Sequence, residues 1–428
     1  MNSKKLEGKK LLISGGISLA TDIVEKAKEM GVYTIVADWD KDSPAKLLAD
    51  ESILVSTRDI EKISEIIKEK KINGVITQYI DSNLSYVQKI CLKNNLYFFL
   101  NDYQLQTITN KQKAKELCIK NDIPVSKGFK LTNELLRKDL KKIFYPVLTK
   151  PVDNSGQRGI TICNNEKELI KGFKYAQDNS ESRTVVVEEY IIGDYVVLNY
   201  TLQNGYLSLS SMADKPVVSE EFANGQIKLP KAYLLPSKYI DLYYNTLHNK
   251  FVQLAKSLNL KDGSFSVEAV VKDNVFYVFE MQYRLGGMRH HNFVEKENKI
   301  DIMKMHINYA LTGKFEGWDL IKLDNPYFKN TYCLLNILLR EGRICNIKGL
   351  EELKKNSELI SILPMQKIGS VIKSTGTVFQ IFAKFSIVSK TKERLIEIIE
   401  LINNTLEVLD EKGNNMIVES LIYNDLYI

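Results

Sequence analysis

The chain has 428 residues, of which 44% are hydrophobic and 26% charged. These are ordinary proportions for a globular protein, and the length is too great for one core, so two to four domains are expected. Its 59 basic and 53 acidic residues leave a net charge of only +6, mixed along the chain. That excludes the basic stripe interleaved with aromatics on which a nucleic-acid groove depends.

Five cysteines, never spaced as CxxC, speak against a disulfide framework or a zinc site and fit reduced thiols in the cytoplasm. The opening MNSKKLEGKKLLISGG has only a short apolar run and reads as no signal peptide. No later stretch is long enough to cross a bilayer, so neither a membrane nor a nucleic-acid partner is expected.

In chain order, Lys10–Ser14 reads as a strand, followed by the turn Gly15-Gly16 and a helix near Leu19–Met30. Strand Tyr33–Ala37, helix Ile60–Lys70, strand Gly74–Thr77, helix Ser82–Asn94 and strand Tyr97–Phe99 complete an alternation that implies a parallel sheet covered by helices. Ligands of such sheets sit beyond the carboxyl ends of the strands, which makes Gly15, Gly16 and Gln78 candidate substrate contacts. The glycine pair lacks the third glycine of a dinucleotide fingerprint, so a simple tight turn competes with that role.

Helix Lys111–Asn121 is expected to stop before Pro124. Next come strand Pro146–Lys150, a polar loop, strand Gly159–Cys163 and helix Glu166–Gln177. A strand-rich stretch follows, with Val185–Glu188, Tyr195–Leu202, Tyr206–Ser211, Ser264–Val271 and Val275–Tyr283, interrupted by helix Tyr239–Asn259 and closed by helix Ile300–Leu311. Strands Thr331–Leu339 and Gln380–Ser389 and helix Lys392–Leu406 stand out in the remainder.

Three segments carry chemistry. In the hairpin 264–284, alternation puts Glu280, Gln282 and Arg284 on one face of the second strand. A two-residue turn at Asp273-Asn274 would pair Glu268 with Phe279 and send the two acids to opposite faces. A three-residue loop, Asp273–Val275, would pair Glu268 with Glu280. The functional reading demands that second register, because opposed carboxylates repel unless a hard cation lies between them. Gly286 and Gly287 follow, where backbone can approach a ligand closely.

In the second segment Lys150 ends a buried strand ahead of a loop containing Ser155 and Gly156, a set suited to phosphate oxygens. In the third, Glu188, Glu189 and Ile191 lie where a strand runs into a linker whose main chain can meet an adenine edge. For each segment the plain alternative is a surface loop or solvated strand end.

Taken in order, these segments resemble the ATP-grasp superfamily, specifically its carbamoyl-phosphate synthetase-like and L-amino-acid ligase-like branch, over roughly Thr109–Gly313. The resemblance implies an α/β multi-domain chain: residues 1–108 as an N-terminal parallel α/β substrate domain, 109–183 and 184–324 as two α+β subdomains clasping ATP, and 325–428 as a C-terminal α+β domain. It also implies nucleotide contacts from Lys111, Lys150, Ser155, Gly156, Glu188, Glu189 and Ile191, and metal binding by Glu268 and Glu280. Arg284 would stabilise the acyl phosphate and its successor, with Lys150 beside it in catalysis.

Two positions depart from the family pattern. Gln282, which the resemblance adds to Glu268 and Glu280 at the metal, stands where asparagine is usual beside the second metal acid. Tyr195 stands where an acid usually holds the ribose, leaving Asp194 as the substitute although it points to the other face. Lys215 is a further candidate for phosphate or carboxylate, and His290 and His291 for the second substrate.

The implied reaction joins a small-molecule carboxylate to an amine through an acyl phosphate. It uses ATP and one or two Mg2+ ions, with Mn2+ able to substitute, and releases ADP and phosphate. A bicarbonate-using carboxylase or carbamoyl-phosphate-type enzyme, and a non-catalytic ATP-binding module, share the same residues. The C-terminal domain leaves room for a homodimer.

Overall fold

The computed structural model describes residues 6–153, 159–219, 228–374 and 376–418. The chain opens with a four-stranded sheet in the order Glu51–Leu54, Tyr33–Asp38, Lys10–Ser14, Gly74–Ile76, with all neighbours parallel. Helix Ile60–Lys70 illustrates why the local sequence folds as it does. Ile63, Ile66 and Ile67 fall on one buried face, Asp59 caps the start by accepting from Lys62 N at 2.9 Å, and Lys71 ends it in left-handed geometry.

Two differences from the sequence reading have local causes. Glu51–Leu54 is a strand, although half-polar and exposed at the sheet edge, where alternation carries little signal. Tyr97–Phe99 is not a strand, because Phe99 leaves the sheet to stack on Tyr309 with ring centroids 3.9 Å apart.

A second, antiparallel sheet runs Gly128–Phe129, Val185–Glu189, Val147–Pro151, Thr161–Cys163, covered by helix Glu166–Asp178 through Leu169 and Phe173. The sequence reading puts its strand Val185–Glu188 at the opening of the following unit. Its hydrogen bonds to Val147–Pro151 instead place it in this smaller lobe.

The largest element is a nine-stranded sheet. Its path runs Val275–Gln282, Gly263–Lys272, Asp194–Gln203, Tyr206–Asp214, Ala232–Leu235, Thr331–Leu339, Ile381–Ser389, Leu359–Pro364, with Ile417–Val418 on a side branch. The expected boundary near 325 therefore does not divide the backbone pairing, since Ala232–Leu235 hydrogen-bonds directly to Thr331–Leu339. The expected helix Tyr239–Asn259 is two helices, Ile240–Thr246 and His248–Ser257, broken at Leu247. Helices His290–Asn298 and Ile302–Thr312 pack one face of this sheet against the first unit, and their apolar residues share a core with Ile23, Val24 and Ile76. Among the described residues, no helix is long and apolar enough to cross a membrane.

Candidate active site

The two acids do face each other. Glu268 on Gly263–Lys272 pairs directly with Glu280 on Val275–Gln282. The route differs from the three-residue loop expected. Asp273 and Asn274 form a two-residue turn, both at positive φ (51° and 60°), and Lys272 pairs with Val275. One extra residue, Phe279, then slips in between Val278 and Glu280, and this bulge restores the pairing that the turn alone would lose.

Burial and the facing Glu268 together push the Glu280 carboxyl above its ordinary range. Gln282, two residues on, donates its amide Nε2 to Glu280 Oε1 at 3.1 Å and so orients that carboxylate. Lys215 lies 2.6 Å from Glu268 and below the ring of Tyr233. Burial works against its charge, but Glu268 outweighs burial and keeps the amine protonated.

Among the described residues no group of three His, Cys, Asp or Glu side chains is gathered as a metal cage. Two opposed carboxylates are nevertheless the donor set that suits a magnesium ion completing its shell with phosphate and water oxygens.

Lys150 is buried and ion-paired to Glu188, which also takes Lys115 at 2.9 Å. Burial alone would raise the Glu188 carboxyl; the two lysines reverse that and hold it at about 2. The expectation that Glu188 meets adenine therefore does not fit its side chain, which faces inward as the anchor of two cations. Glu189 on the opposite face is exposed, and Ile191 is buried just beyond the strand. Lys111, first residue of helix Lys111–Lys120, is half-buried; burial holds its amine below the ordinary range, and Glu280 offsets only part of that. Ser155 and Gly156 lie outside the described residues.

Arg284 is buried and bidentate on Asp81, at the start of helix Asp81–Lys93 in the first unit. Beside it the two units are laced by main chain: Leu285 N donates to Gln78 Oε1 at 2.7 Å, and Tyr79 N donates to Leu285 O at 3.3 Å. Tyr79 holds φ at 68°, a strained value for a bulky residue and one imposed by this junction.

Gln78 does not present its amide to a ligand. Its Nε2 donates to His306 Nδ1 at 3.1 Å, so His306 donates through Nε2 to Ser264 Oγ at 2.7 Å. Gly15 and Gly16 also have packing reasons. A side chain on Gly15 would strike Ile80, one on Gly16 would strike Ser43, and Gly16 N donates to Asp38 at 2.6 Å. Gly286 and Gly287 are uncrowded.

Asp194 turns to the face away from Glu268, where Tyr239 and Lys238 hold it, while Tyr195 shares the Glu268 face and packs on Phe279. The ribose role expected of Asp194 is thus not matched by its direction. His290 is fully buried, and His291 lies 3.3 Å from Asp22, which Arg289 grips through two nitrogens. Both histidines pack at the junction between units rather than beside the acid pair.

Sequence reading missed Asp81, Lys115 and Tyr233. Asp81 was findable, since it stands just past a strand's carboxyl end; Lys115 lies one helical turn from Lys111; Tyr233 carried no signal.

Residues 143–292 match a family model described as the ATP-grasp domain. The chain carries an ATP-grasp domain. Over 287 residues it is 28% identical to the formate-dependent phosphoribosylglycinamide formyltransferase of Sulfurisphaera tokodaii, covering 62% of this chain and 67% of that one. It is 22% identical over 320 residues to the 2-oxoglutarate carboxylase small subunit of Hydrogenobacter thermophilus, covering 71% and 66% of the two chains.

Among solved structures, the L-amino acid ligase from Bacillus licheniformis superposes with a TM-score of 0.77 at 18% identity, over 95% of this chain and 99% of that one. The biotin carboxylase domain of the Hydrogenobacter thermophilus 2-oxoglutarate carboxylase, a dimer crystallised with MgADP, ADP and bicarbonate, gives 0.75 at 18% identity over 94% and 90%. These likenesses establish the ATP-grasp fold.

Proposed function

We propose that this chain binds Mg-ATP between its two ATP-grasp lobes and uses it to activate a carboxylate for attack by an amine, releasing ADP and phosphate. The observation that carries the reading is the Glu268–Glu280 pair, opposed across two strands with Lys215 on one acid and Lys111 facing the other. Bound magnesium supplies charge neutralisation between the acids and the transferring phosphoryl group.

The chain's own residues do the positioning. Lys150, held by Glu188, and Lys111 direct positive charge at the phosphates, and the main chain of Glu189 and Ile191 is offered to adenine; the resemblance assigns Ser155 and Gly156 to the phosphates as well. Arg284 exchanges Asp81 for the oxyanion that develops when the amine attacks. Small-molecule acid and amine substrates, a cytoplasmic location and a homodimer belong to the same reading. Bicarbonate in place of the organic acid is the rival on this fold, and the carboxylase among the similar structures gives it a place in the test.

The test is nucleotide product analysis with Mg-ATP and a matrix of carboxylates and amines, bicarbonate included. ADP and phosphate released only with a matched pair is the expected result, lost in Arg284→Ala while ATP still binds. AMP and pyrophosphate would overturn the acyl-phosphate route, and bicarbonate-dependent ADP without any organic acid would favour the rival.

A further inference from the structure

We propose that Lys384, on strand Ile381–Ser389, receives an anionic group, a carboxylate or a phosphate, of the substrate that meets the activated acid. The proposal rests on the ligase reading and names a feature of its second substrate.

Four of the buried cations each have a carboxylate of their own. Lys150 has Glu188, Lys215 has Glu268, Arg284 has Asp81 and Arg289 has Asp22. Lys384 is equally buried, at 6% exposure, yet the acceptor its amine meets is the neutral Asn336 Oδ1 at 3.3 Å. That oxygen is fixed toward the lysine, because the same amide donates through Nδ2 to Pro230 O at 2.9 Å. No carboxylate of the described residues pairs with Lys384; its charged neighbours are the cations Arg289 and Lys215. Burial, reinforced by those two, brings the amine down to about 7. A buried ammonium without a counter-ion is unfavourable, and an arriving anion removes the penalty.

The strand register joins this lysine to the acid pair. Lys384 pairs with Asn336, while in the next row Ser386 pairs with Leu334, which pairs with Tyr233. Tyr233 stands over Lys215, the partner of Glu268. On the far side Ser386 accepts from Ser361 at 3.0 Å, and Ser361 accepts from Arg289 at 3.0 Å. One face of the sheet therefore passes from the acid pair through Tyr233 to a cationic, hydroxyl-lined row. ATP phosphates have Lys111, Lys150 and Lys215 beside the acids, which leaves Lys384 for an anion on the other substrate.

The experiment fills the nucleotide site of the full chain with magnesium and the non-hydrolysable analogue AMP-PNP. Succinate and inorganic phosphate are then titrated by calorimetry at ionic strength fixed with chloride. The wild type should bind at least one of them, and the preferred anion names the group. Lys384→Met should weaken that binding by about tenfold or more, Lys384→Arg should retain part of it, and AMP-PNP affinity should be unchanged in both. Lys384→Met should also fold with an unfolding midpoint no lower than wild type, since it removes an uncompensated buried charge.

Equal anion binding in wild type and Lys384→Met, or no binding of either anion to the wild type, overturns the proposal. Failure of AMP-PNP to bind is a failure of the ligase reading instead. The same titration on the nucleotide-free protein then decides the role of Lys384.

Discussion

The Asp81 carboxylate takes the Arg284 guanidinium fork to fork, with Nε donating to Oδ1 at 2.6 Å and a terminal nitrogen to the second oxygen. The two residues are 203 positions apart and belong to different units, so this pair helps set how the first sheet sits on the ATP-grasp domain. Asp81→Ala leaves a buried guanidinium without its anion and should destabilise the chain by about 3 kcal/mol in urea unfolding. An unchanged midpoint would mean that Asp81 is not the counter-ion Arg284 depends on.

Glu268 and Glu280 repel in the absence of a cation. Glu280→Gln removes that repulsion and should raise metal-free stability by about 0.5–1 kcal/mol. The same variant should lose the rise in melting temperature that magnesium with AMP-PNP gives the wild type. If magnesium protects both proteins equally, the cation does not sit between these acids.

His306 is held neutral between Gln78 and Ser264, and burial pushes its imidazole down to about 3. Above about pH 6.5 neither the folded nor the unfolded chain protonates it. As pH falls from there toward 3 the unfolded chain takes up a proton that the folded chain refuses, so stability is lost at about 1.4 kcal/mol per pH unit. Urea midpoints at pH 7, 6 and 5 should fall accordingly, and His306→Gln should flatten the slope by about one proton.

Four of the five cysteines are buried, and Cys345 is exposed. Burial pushes the Cys91 and Cys118 thiols up to about 12 and Cys163 to about 11, which leaves little thiolate at neutral pH. A thiol reagent should therefore modify one group quickly in the native protein and all five after denaturation. Rapid reaction of a second thiol would show that one of the buried strands or helices opens.

The parts of the site that could be read from the sequence are those that local periodicity carries. Alternation put Glu280 and Gln282 on one face, and a lysine closing a buried strand picked out Lys150. Features set by tertiary contact were hidden. Glu188 looks like any acid at a strand end until Lys115 and Lys150 close on it. Gln78 looks like a rim residue until His306 and Leu285 saturate its amide. The continuity of the large sheet across residue 325 was equally invisible, because Ala232–Leu235 is too short to announce a strand bridging two units.

The bulge at Phe279 turns a matter of shape into one of counting. Across a two-residue turn, facing positions sum to a fixed odd number, so their separation is always odd; Lys272 and Val275 differ by three. Glu268 and Glu280 differ by an even twelve and face each other at that interval only because one residue is bulged out between them. Parity is therefore a readable mark. In any hairpin of this kind, an even interval between two acids that must meet implies an inserted residue. Deleting Phe279 would instead make the interval odd, and the regular hairpin would then keep the two acids opposite each other with no bulge at all.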